Sequence, residues 1–346
     1  MDILTMVSDS VLEWLEKRFG DRFTPNAPLA KYTAAQIGGE ADGLLVVDSI
    51  AMLIESATYL WEHTIPFFIL GGGSNILVSD AGVRGVVLLN RARRIRFDEQ
   101  TDPPTVRVES GAGFGLVARK AASKGLAGLE WAAGIPGTIG GAVVGNAGAH
   151  GSDMASILLL ADILHRKESK EFEGLGTKSG ASIRRENWSV ERLKYAYRDS
   201  ALKSETLSEH AAREAAQTPG TPAAIVLEAV LRLARSNQEA VQAKTEEFAS
   251  YRRLTQPPGA SMGSMFKNPP GDYAGRLIEM AGLKGRRIGG AGISSLHANF
   301  FINHGGASAS DVWHLIRLAQ EEVQEKFGIA LELEIQLVGD WGASLS

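Results

Sequence analysis

The stretch LGGGSNILV at residues 70–78 joins a buried apolar run to three consecutive glycines and two small polar residues. A turn of this composition directs several consecutive backbone N–H groups to one point, and its serine and asparagine supply further donors. That arrangement suits the negative charge of a pyrophosphate, although a tight hairpin would use the same residues. The candidate ligand-binding residues are Gly71, Gly72, Gly73, Ser74 and Asn75.

This turn does not match the common nucleotide-binding loops. The chain contains no GxGxxG sequence, which excludes the Rossmann fingerprint. GLGTKS at 174–179 fails as a Walker loop because Thr177 stands where glycine must precede the lysine. A phosphate-binding role for residues 71–75 therefore needs a different fold.

A second segment, AGIPGTIGGAVVGNAGAHG at 133–151, contains seven glycines and one proline among small and β-branched residues. We expect neither an ordinary helix nor an ordinary strand here, and the segment offers few side chains to pack. Its backbone should therefore face something flat and extended, such as an isoalloxazine ring or a ribityl-diphosphate chain. The alternative is a glycine-rich crossing of two sheets.

Ser264 lies in GASMGSMFKNPPG at 259–271, between Gly263 and Met265. Glycine, serine, asparagine and proline are turn residues, so a plain turn is one interpretation of this stretch. A hydrolase nucleophile is excluded, since the GxSxG elbow requires glycines where the chain has Met262 and Phe266. The stretch alone leaves open whether Ser264 takes part in chemistry.

The elements that must position these residues follow from hydrophobic periodicity and helix punctuation. A strand at 43–48, a helix after Ser49 and a strand at 66–70 predict a βαβ unit, so we expect the first half to be α/β. A polar stretch at 201–222 predicts a surface insertion. The other predicted helices lie at 10–19, 115–124, 237–253, 273–281 and 311–327, and the other predicted strands at 83–89, 105–111, 223–233, 298–303 and 330–339.

Composition excludes several classes of function. The chain of 346 residues has no cysteine, and its seven histidines form no HxxH or HExxH pair, so we expect no disulfide and no metal site. A net charge of −4 argues against general nucleic-acid binding. Apolar runs are too short to span a membrane, and acidic residues near the N-terminus do not fit a secretory signal, so we expect a cytoplasmic protein.

The charge is unevenly distributed. Between residues 251 and 290 there are seven Lys or Arg against two acidic residues, a local surplus of five. Such a surplus suits a small anionic ligand, such as one that carries phosphate, while a solvated basic face is the alternative.

Six motifs in order, spanning about residues 30 to 340, resemble the MurB family of UDP-N-acetylenolpyruvoylglucosamine reductases. The motifs are LGGGSN, AGIPGTIGGA with GNAGA, YAYRDS, GSMFKNP, GLKGRRIGGAGIS with HANFFIN, and LELEI. The resemblance implies a mixed α+β and α/β fold: a vanillyl-alcohol-oxidase type FAD-binding fold of two subdomains plus an α+β substrate-binding domain. It implies an FAD-binding region of two α/β subdomains at 1–236, a substrate-binding domain at 237–330, and a C-terminal strand at 331–346 returning to the FAD-binding region.

The resemblance also implies the chemistry. NADPH would reduce non-covalently bound FAD, which would then reduce the enolpyruvyl ether of the nucleotide sugar to UDP-N-acetylmuramate, a peptidoglycan precursor. In this family pattern Ser264 is the proton donor, Arg198 steadies the substrate carboxylate, and Glu334 completes the site. The glycine-rich segment would contribute further cofactor contacts from Gly134, Ile135, Pro136, Gly137, Gly141, Asn146, Gly148 and Ala149. Tyr195, Asn268 and His297 are further candidates for substrate contact. We assign the basic surplus at 251–290, with Lys267 and Arg287, to the diphosphate of the substrate and not to FAD.

Each residue also has a plainer interpretation. Arg198 beside Asp199 could be a surface ion pair, Glu334 could face water from a strand, and Tyr195 could be a core residue. The 201–222 insertion is longer than the resemblance to this family suggests, and the lack of a tyrosine-bearing closing loop favours the shorter, type II form of the family.

Two other functions stay open: an FAD-dependent sugar or lactone oxidase of the same superfamily, and a non-catalytic nucleotide-sugar-binding protein. We expect a small-molecule nucleotide-sugar partner, and the sequence gives no sign of an obligate protein partner.

Overall fold

A computed structural model describes residues 7–167, 182–203 and 221–342 of the chain. Among these residues, no helix is both long and apolar enough to cross a bilayer. The predicted surface insertion at 201–222 falls outside the described residues except at its two ends.

The first unit is a four-stranded sheet in the order β1-β2-β5-β3. Strands β2 and β3 both run parallel to β5, which lies between them, so the predicted βαβ unit is confirmed. Ser49 caps the crossover helix by accepting a hydrogen bond from the Met52 N–H at 3.4 Å. The elements are α1 Asp9–Phe19, β1 Phe23–Pro28, β2 Glu40–Val47, α2 Ile50–Glu62, β3 Phe67–Leu70, β4 Ile76–Val78 and β5 Val83–Asn90.

The second unit is a five-stranded antiparallel sheet in the order β12-β11-β13-β7-β6. The helix predicted at 115–124 is observed here as Phe114–Ala122. The elements are β6 Ile95–Asp98, β7 Thr105–Glu109, α3 Phe114–Ala122, β8 Leu126–Ala127, α4 Ile139–Val144, β9 Gly148–Ala149, β10 Ser152–Asp153, α5 Met154–Ile157, β11 Leu158–Lys167, β12 Ser182–Trp188, α6 Val190–Leu193, β13 Ala224–Arg232 and β14 Ala234–Arg235.

The glycine-rich segment contains a short helix, which corrects the expectation that it forms no regular structure. Helix α4 covers residues 139–144, and Ile139, Ala142 and Val143 are buried on one side of it. Three buried apolar side chains per six residues are enough to hold one helical turn against the sheet despite the low helix propensity of glycine. The remainder of the segment is loop and short hairpin.

The third unit is a four-stranded sheet in the order β15-β18-β17-β16, packed against α8 and α9. Its last helix begins with a capping box in which the Ser308 side chain and Asp311 bond each other's backbone N–H. The remaining elements are α7 Gln238–Thr255, β15 Ala260–Ser264, α8 Ala274–Met280, β16 Arg287–Ile288, β17 Ala291–Ile293, β18 Phe300–Asn303, α9 Ala309–Phe327 and β19 Gln336–Val338.

Helix α7 was predicted to belong to the substrate-binding domain at 237–330, but it packs against the second unit. It lies against α3 and the short 3-10 helix Glu130–Ala132, and Phe248 packs onto the core of the second unit. An amphipathic helix belongs to the core that covers its apolar stripe. We therefore propose a domain boundary near residue 255 rather than at 237.

The predicted strand at 330–339 is shorter than expected. Only β19, residues 336–338, is regular, and it runs parallel to β4 with Gln336 opposite Ile76. Upstream of it, Leu333 forms an isolated bridge with Phe266. Because Glu334 lies in a bend between these two pairings, the alternation of leucine and glutamate does not extend into one continuous strand.

Candidate active site

The two glycine-rich segments meet each other in the fold. A methyl group built at Gly72 would lie 3.0 Å from the Cα of Gly137, and one built at Gly137 would lie 2.7 Å from the Ser74 Oγ. At Gly73, where φ is +59°, a methyl group would lie 2.6 Å from the carbonyl oxygen of Tyr32. Only glycine allows this close approach of three backbone segments.

The contact between these loops forms a cradle that fits an anionic, extended cofactor. Within the described part of the chain, the backbone N–H groups of residues 72–75 donate no hydrogen bond to another protein group. Consecutive N–H groups left free in a turn form an anion-binding concavity. The residues therefore fit the diphosphate of FAD. Two further predicted cofactor contacts, Pro136 and Gly141 on α4, are exposed to solvent.

Ser264 lies next to this cradle. Gly263 has φ +80°, and a methyl group on it would lie 3.7 Å from the Ser74 carbonyl oxygen. The two residues that follow, Met265 and Phe266, are fully buried and anchor the strand. The serine is therefore fixed by its buried neighbours and brought to the cradle by a glycine in the left-handed region.

Arg198 and Glu334 form an ion pair beside the same cradle. The Arg198 Nε lies 2.8 Å from the Glu334 Oε1, and the two side chains are 26% and 15% exposed. The Arg198 Nη1 also donates to the Gly148 carbonyl at 3.1 Å, which ties it to the glycine-rich segment. The alternative that Arg198 forms a surface ion pair with the adjacent Asp199 is therefore wrong, because Arg198 pairs with Glu334.

Glu334 is held by its backbone from two sides. Its N–H donates to the Met265 carbonyl at 2.9 Å, and its carbonyl accepts from the Asn75 Nδ2 at 3.1 Å. Burial raises the pKa of the Glu334 carboxyl, while the charges of Arg198, Lys203 and Lys267 oppose that rise. The Asn75 amide, predicted to contact the cofactor, therefore joins the glycine-rich turn to the backbone of Glu334.

Asn146 also holds backbone. Its Nδ2 donates to the Ala196 carbonyl at 3.0 Å and its Oδ1 accepts from the Ala155 N–H at 3.1 Å, so it supports the turn that carries Arg198. Tyr195 enters the same region, and burial raises the pKa of its phenol well above the usual value. The Tyr195 hydroxyl is buried without a hydrogen-bond partner among the described residues, which suits a ligand contact.

The other glycine-rich-segment residues are distributed around this site. Ile135 packs against the core of the second unit, together with Ala149. Gly148 and Ala149 form β9, which pairs with β10. A methyl group at Gly134 would lie 2.5 Å from the Cδ of Arg252, so an arginine side chain lies directly on this loop.

The predicted substrate contacts are not all brought together. The charge of Lys267 acts on Glu334, and its Nζ lies 3.3 Å from the Glu332 carboxylate, whereas Arg287 is exposed on β16 next to His304. Asn268 accepts from the Ala274 N–H at 3.1 Å at the start of α8. His297 packs on Phe300 with ring centroids 4.9 Å apart, and burial lowers the pKa of its imidazole.

Sequence reasoning missed two cations at this site. Lys203 donates from Nζ to the Arg198 carbonyl at 3.0 Å. Burial, and then the charge of Arg198, lowers the pKa of the Arg252 guanidinium, which places a second arginine near the first. Arg252 belonged to the basic surplus at 251–290, but nothing in the sequence separated it from its neighbours. Across the described ranges, no group of three His, Cys, Asp or Glu could hold a metal ion.

Comparison with known proteins decides the family. A profile described as "UDP-N-acetylenolpyruvoylglucosamine reductase, C-terminal domain" matches residues 254–338, and one described as "FAD binding domain" matches residues 41–165. The UDP-N-acetylenolpyruvoylglucosamine reductase of Rubrobacter xylanophilus is 41% identical over 315 residues, which cover 90% of this chain and 94% of the relative. The chain belongs to the UDP-N-acetylenolpyruvoylglucosamine reductase family. The resemblance to the MurB family seen in the sequence is thereby confirmed.

Further relatives support the same family along nearly the whole chain. A reductase of this name from Bacillus subtilis is 36% identical and covers 96% of this chain and 99% of its own. The crystal structure of UDP-N-acetylenolpyruvylglucosamine reductase (MurB) from Thermus caldophilus matches with a TM-score of 0.69 and 32% identity, covering 91% of this chain and 98% of that one. The predicted fold class, an FAD-binding fold with an added α+β domain, is confirmed for this member of the reductase family.

Packing between the two glycine loops should control cofactor binding. We expect Gly72→Ala to lower the flavin content of the purified reductase, because its methyl group would press on the Gly137 backbone at 3.0 Å and overpacking costs about 1–3 kcal/mol. Visible absorbance relative to protein concentration measures this. Gly113→Ala is the matched control, since its methyl group meets nothing nearer than Leu116 at 3.9 Å. Equal flavin content in the two variants would contradict the cradle.

Proposed function

We propose that this chain reduces UDP-N-acetylenolpyruvoylglucosamine to UDP-N-acetylmuramate with NADPH and bound FAD, as a step of peptidoglycan precursor synthesis. The observation that carries the proposal is the meeting of Ser264, the Arg198–Glu334 pair and the glycine cradle in one place. Relatives that carry this activity in their names are 36–41% identical to the chain. We place the reaction in the cytoplasm, where NADPH is available.

The cradle residues at 72–75 would hold FAD through their backbone N–H groups, and Gly137 lies against Gly72 and Ser74 in the same cradle. Bound FAD supplies hydride transfer, from NADPH and then to the enolpyruvyl double bond. We propose that it is held without a covalent link. The chain has no cysteine, and the ring of His150 is stacked on Phe248 with centroids 4.1 Å apart.

The chain's own residues must manage the charge that hydride addition creates. Hydride adds to the methylene carbon of the substrate, and negative charge develops on the carbon next to the carboxylate. We propose that the Arg198 guanidinium binds this carboxylate and stabilises its enolate form, as preorganised donors do at developing charge. Glu334 orients the guanidinium by pairing with its Nε.

One proton completes the saturated product. We assign it to the Ser264 hydroxyl, which would donate it to the same carbon. A serine is a weak acid in water, so it can act only against a strongly basic carbon within hydrogen-bond reach. The left-handed Gly263 and the buried Met265 place the hydroxyl beside the cradle where that carbon would form.

The charge balance of the site also suits this substrate. Four cations, Arg198, Lys203, Arg252 and Lys267, lie in this region. The acidic side chains beside them are Glu334, Asp199 and Glu332, the last of which pairs with Lys267 at 3.3 Å. A surplus of cations in a half-buried site is unfavourable unless an anion binds there. The substrate carries both a carboxylate and a diphosphate, and either would neutralise the surplus.

Anaerobic mixing experiments test this function directly. Flavin absorbance should fall when NADPH is added and recover when the enolpyruvyl nucleotide sugar follows. Recovery in air without the nucleotide sugar, at a comparable rate, would instead support a sugar or lactone oxidase. Purified protein that takes up no added FAD would support a non-catalytic nucleotide-sugar-binding protein.

The non-covalent binding of FAD has its own test. Denaturation followed by filtration should release all flavin from the polypeptide, and retained flavin would overturn the non-covalent assignment.

The position of Lys267 predicts a role in substrate binding. We expect Lys267→Glu to raise the KM for the nucleotide sugar by about ten- to a hundredfold, because a hydrogen bond to a charged group contributes about 1.5–3 kcal/mol. Flavin content should not change. Arg287→Glu is the comparison variant, since Arg287 is exposed beside His304, whereas the charges that act on Glu334 are those of Arg198, Lys203 and Lys267. A larger effect from Arg287 than from Lys267 would show that the diphosphate binds along β16.

A further inference from the structure

The turn that carries Arg198 has a backbone that needs support. Ala196 and Asp199 exchange two backbone hydrogen bonds of 3.1 and 3.2 Å, so Tyr197 and Arg198 form the tip of a tight turn. Arg198 itself has φ +57°, in the left-handed region that side-chain-bearing residues seldom adopt. Such a conformation persists only where surrounding contacts fix it, and such residues cluster at functional sites.

Contacts from three directions fix this turn. The Ser200 Oγ donates to the Val144 carbonyl at 2.6 Å, and the Asn146 Nδ2 donates to the Ala196 carbonyl at 3.0 Å. The third contact comes from Lys203, whose N–H bonds the Ser200 carbonyl and whose Nζ returns to the Arg198 carbonyl at 3.0 Å. Lys203 therefore contacts the backbone of the arginine directly.

Lys203 is held in a place that is unfavourable for its own charge. Burial, followed by the like charge of Lys267, lowers the pKa of the Lys203 ammonium, while the charges of Asp199 and Glu334 act in the opposite direction. A lysine that served packing alone would gain by turning its ammonium to water, as long cationic side chains do. Instead its ammonium bonds the backbone of the residue that pairs with Glu334.

We propose that Lys203 is a positioning residue for the substrate half of the reaction. Its ammonium fixes the left-handed backbone of Arg198, so that the guanidinium meets both Glu334 and the substrate carboxylate. Its charge also favours the carboxylate form of Glu334, which pairs with the arginine. The inference rests on the proposed function and adds to it a residue that touches neither substrate nor cofactor.

Lys203→Met tests the proposal, because methionine keeps the length of the side chain and removes its donor and charge. The flavin absorbance decrease with NADPH should proceed at the wild-type rate. The recovery with the nucleotide sugar should slow by about a hundredfold, the loss that a displacement of about 1 Å produces at a reacting centre. Lys203→Arg, which keeps a cationic donor, should restore most of that rate. Lys120→Met, an exposed lysine on α3, is the matched control and should leave both halves unchanged.

A pH profile separates positioning from a merely structural role. The charged groups that face Glu334 are Arg198 and Lys203 from the turn and Lys267 from the segment after β15. Each lowers the pKa of Glu334, so removal of Lys203 must raise it. The limb of the substrate half-reaction that reports Glu334 should therefore move to higher pH in Lys203→Met and remain in place in Lys203→Arg.

Three results would overturn the proposal: equal slowing of both half-reactions, unchanged recovery with the nucleotide sugar, or a pH limb that stays in place in Lys203→Met. Melting temperature and flavin content, measured on the same samples, identify a variant that has lost its fold, and in that case Lys203→Gln replaces methionine. Failure of the proposed function looks different, because the wild-type protein would then show no recovery with the nucleotide sugar at all.

Discussion

Ser264→Ala should slow the recovery of flavin absorbance with the enolpyruvyl nucleotide sugar by about 10²- to 10⁴-fold, which is the contribution of a positioned general acid. The decrease with NADPH should stay near normal, because no proton from Ser264 is needed in that half. Two stopped-flow traces per variant measure both steps. The substitution should leave the backbone in place, because Ser264 pairs with Phe300 through the backbone and the buried Met265 and Phe266 anchor the strand.

Two companion variants separate acid catalysis from backbone geometry. Ser264→Cys keeps a donor and should recover part of the rate. Gly263→Ala keeps the serine but forces a side chain into φ +80°, so it should displace the hydroxyl and slow the same half-reaction. If Ser264→Ala slowed both halves equally, or neither, the serine would be a turn residue and the proton would have to come from another group.

The sequence predicted the regular elements well, because their signals are local. Ser49 and the apolar spacing that follows it predict α2, and the run at 83–89 predicts β5. The apolar face of α9 and its serine cap are likewise local signals, because the residues that form them lie within one short segment of the sequence. Local signals failed where glycine was taken to exclude a helix, since α4 forms on three buried side chains.

The site was less accessible to prediction because its contacts are distant in sequence. Asn75 and Glu334 are 259 residues apart, and Arg198 and Gly148 are 50 apart, so no periodicity connects them. The family resemblance selected Arg198 and Glu334, whereas residue patterns alone gave the arginine a surface role. Lys203 carries no local signal, since its function depends on a side chain bending back onto a turn five residues earlier.

The second large effect is expected at Arg198. We expect Arg198→Met to slow the substrate half-reaction by about 10²- to 10³-fold, the loss that follows removal of one preorganised donor at developing charge. Arg198→Lys keeps the charge but not the planar fork that binds a carboxylate with two donors, so it should recover little of the rate. Rapid-mixing traces with the nucleotide sugar give these rates, and the NADPH step again serves as the internal control.

Arg198→Gly distinguishes the chemistry of the guanidinium from the conformation of its backbone. Glycine adopts φ +57° without the penalty that arginine has there, about 1–2 kcal/mol, so the turn itself should not be weakened. The rate should nevertheless fall as far as in Arg198→Met, because the turn without its guanidinium binds no carboxylate. A glycine variant that kept most of the wild-type rate would show that the strained turn, and not the arginine, is what the reaction requires.

A double-mutant cycle with Glu334→Gln then asks whether the pair acts as one unit. Each single variant should lose most of the rate, because the orientation proposed for the guanidinium depends on the ion pair of its Nε with Glu334 at 2.8 Å, and the charge of Arg198 opposes the effect of burial on the pKa of Glu334. Groups that act together give strongly non-additive losses, so the double variant should be hardly slower than Arg198→Met alone. Losses that simply multiplied would mean that Glu334 contacts the substrate independently of Arg198, for instance as the relay that returns a proton to Ser264.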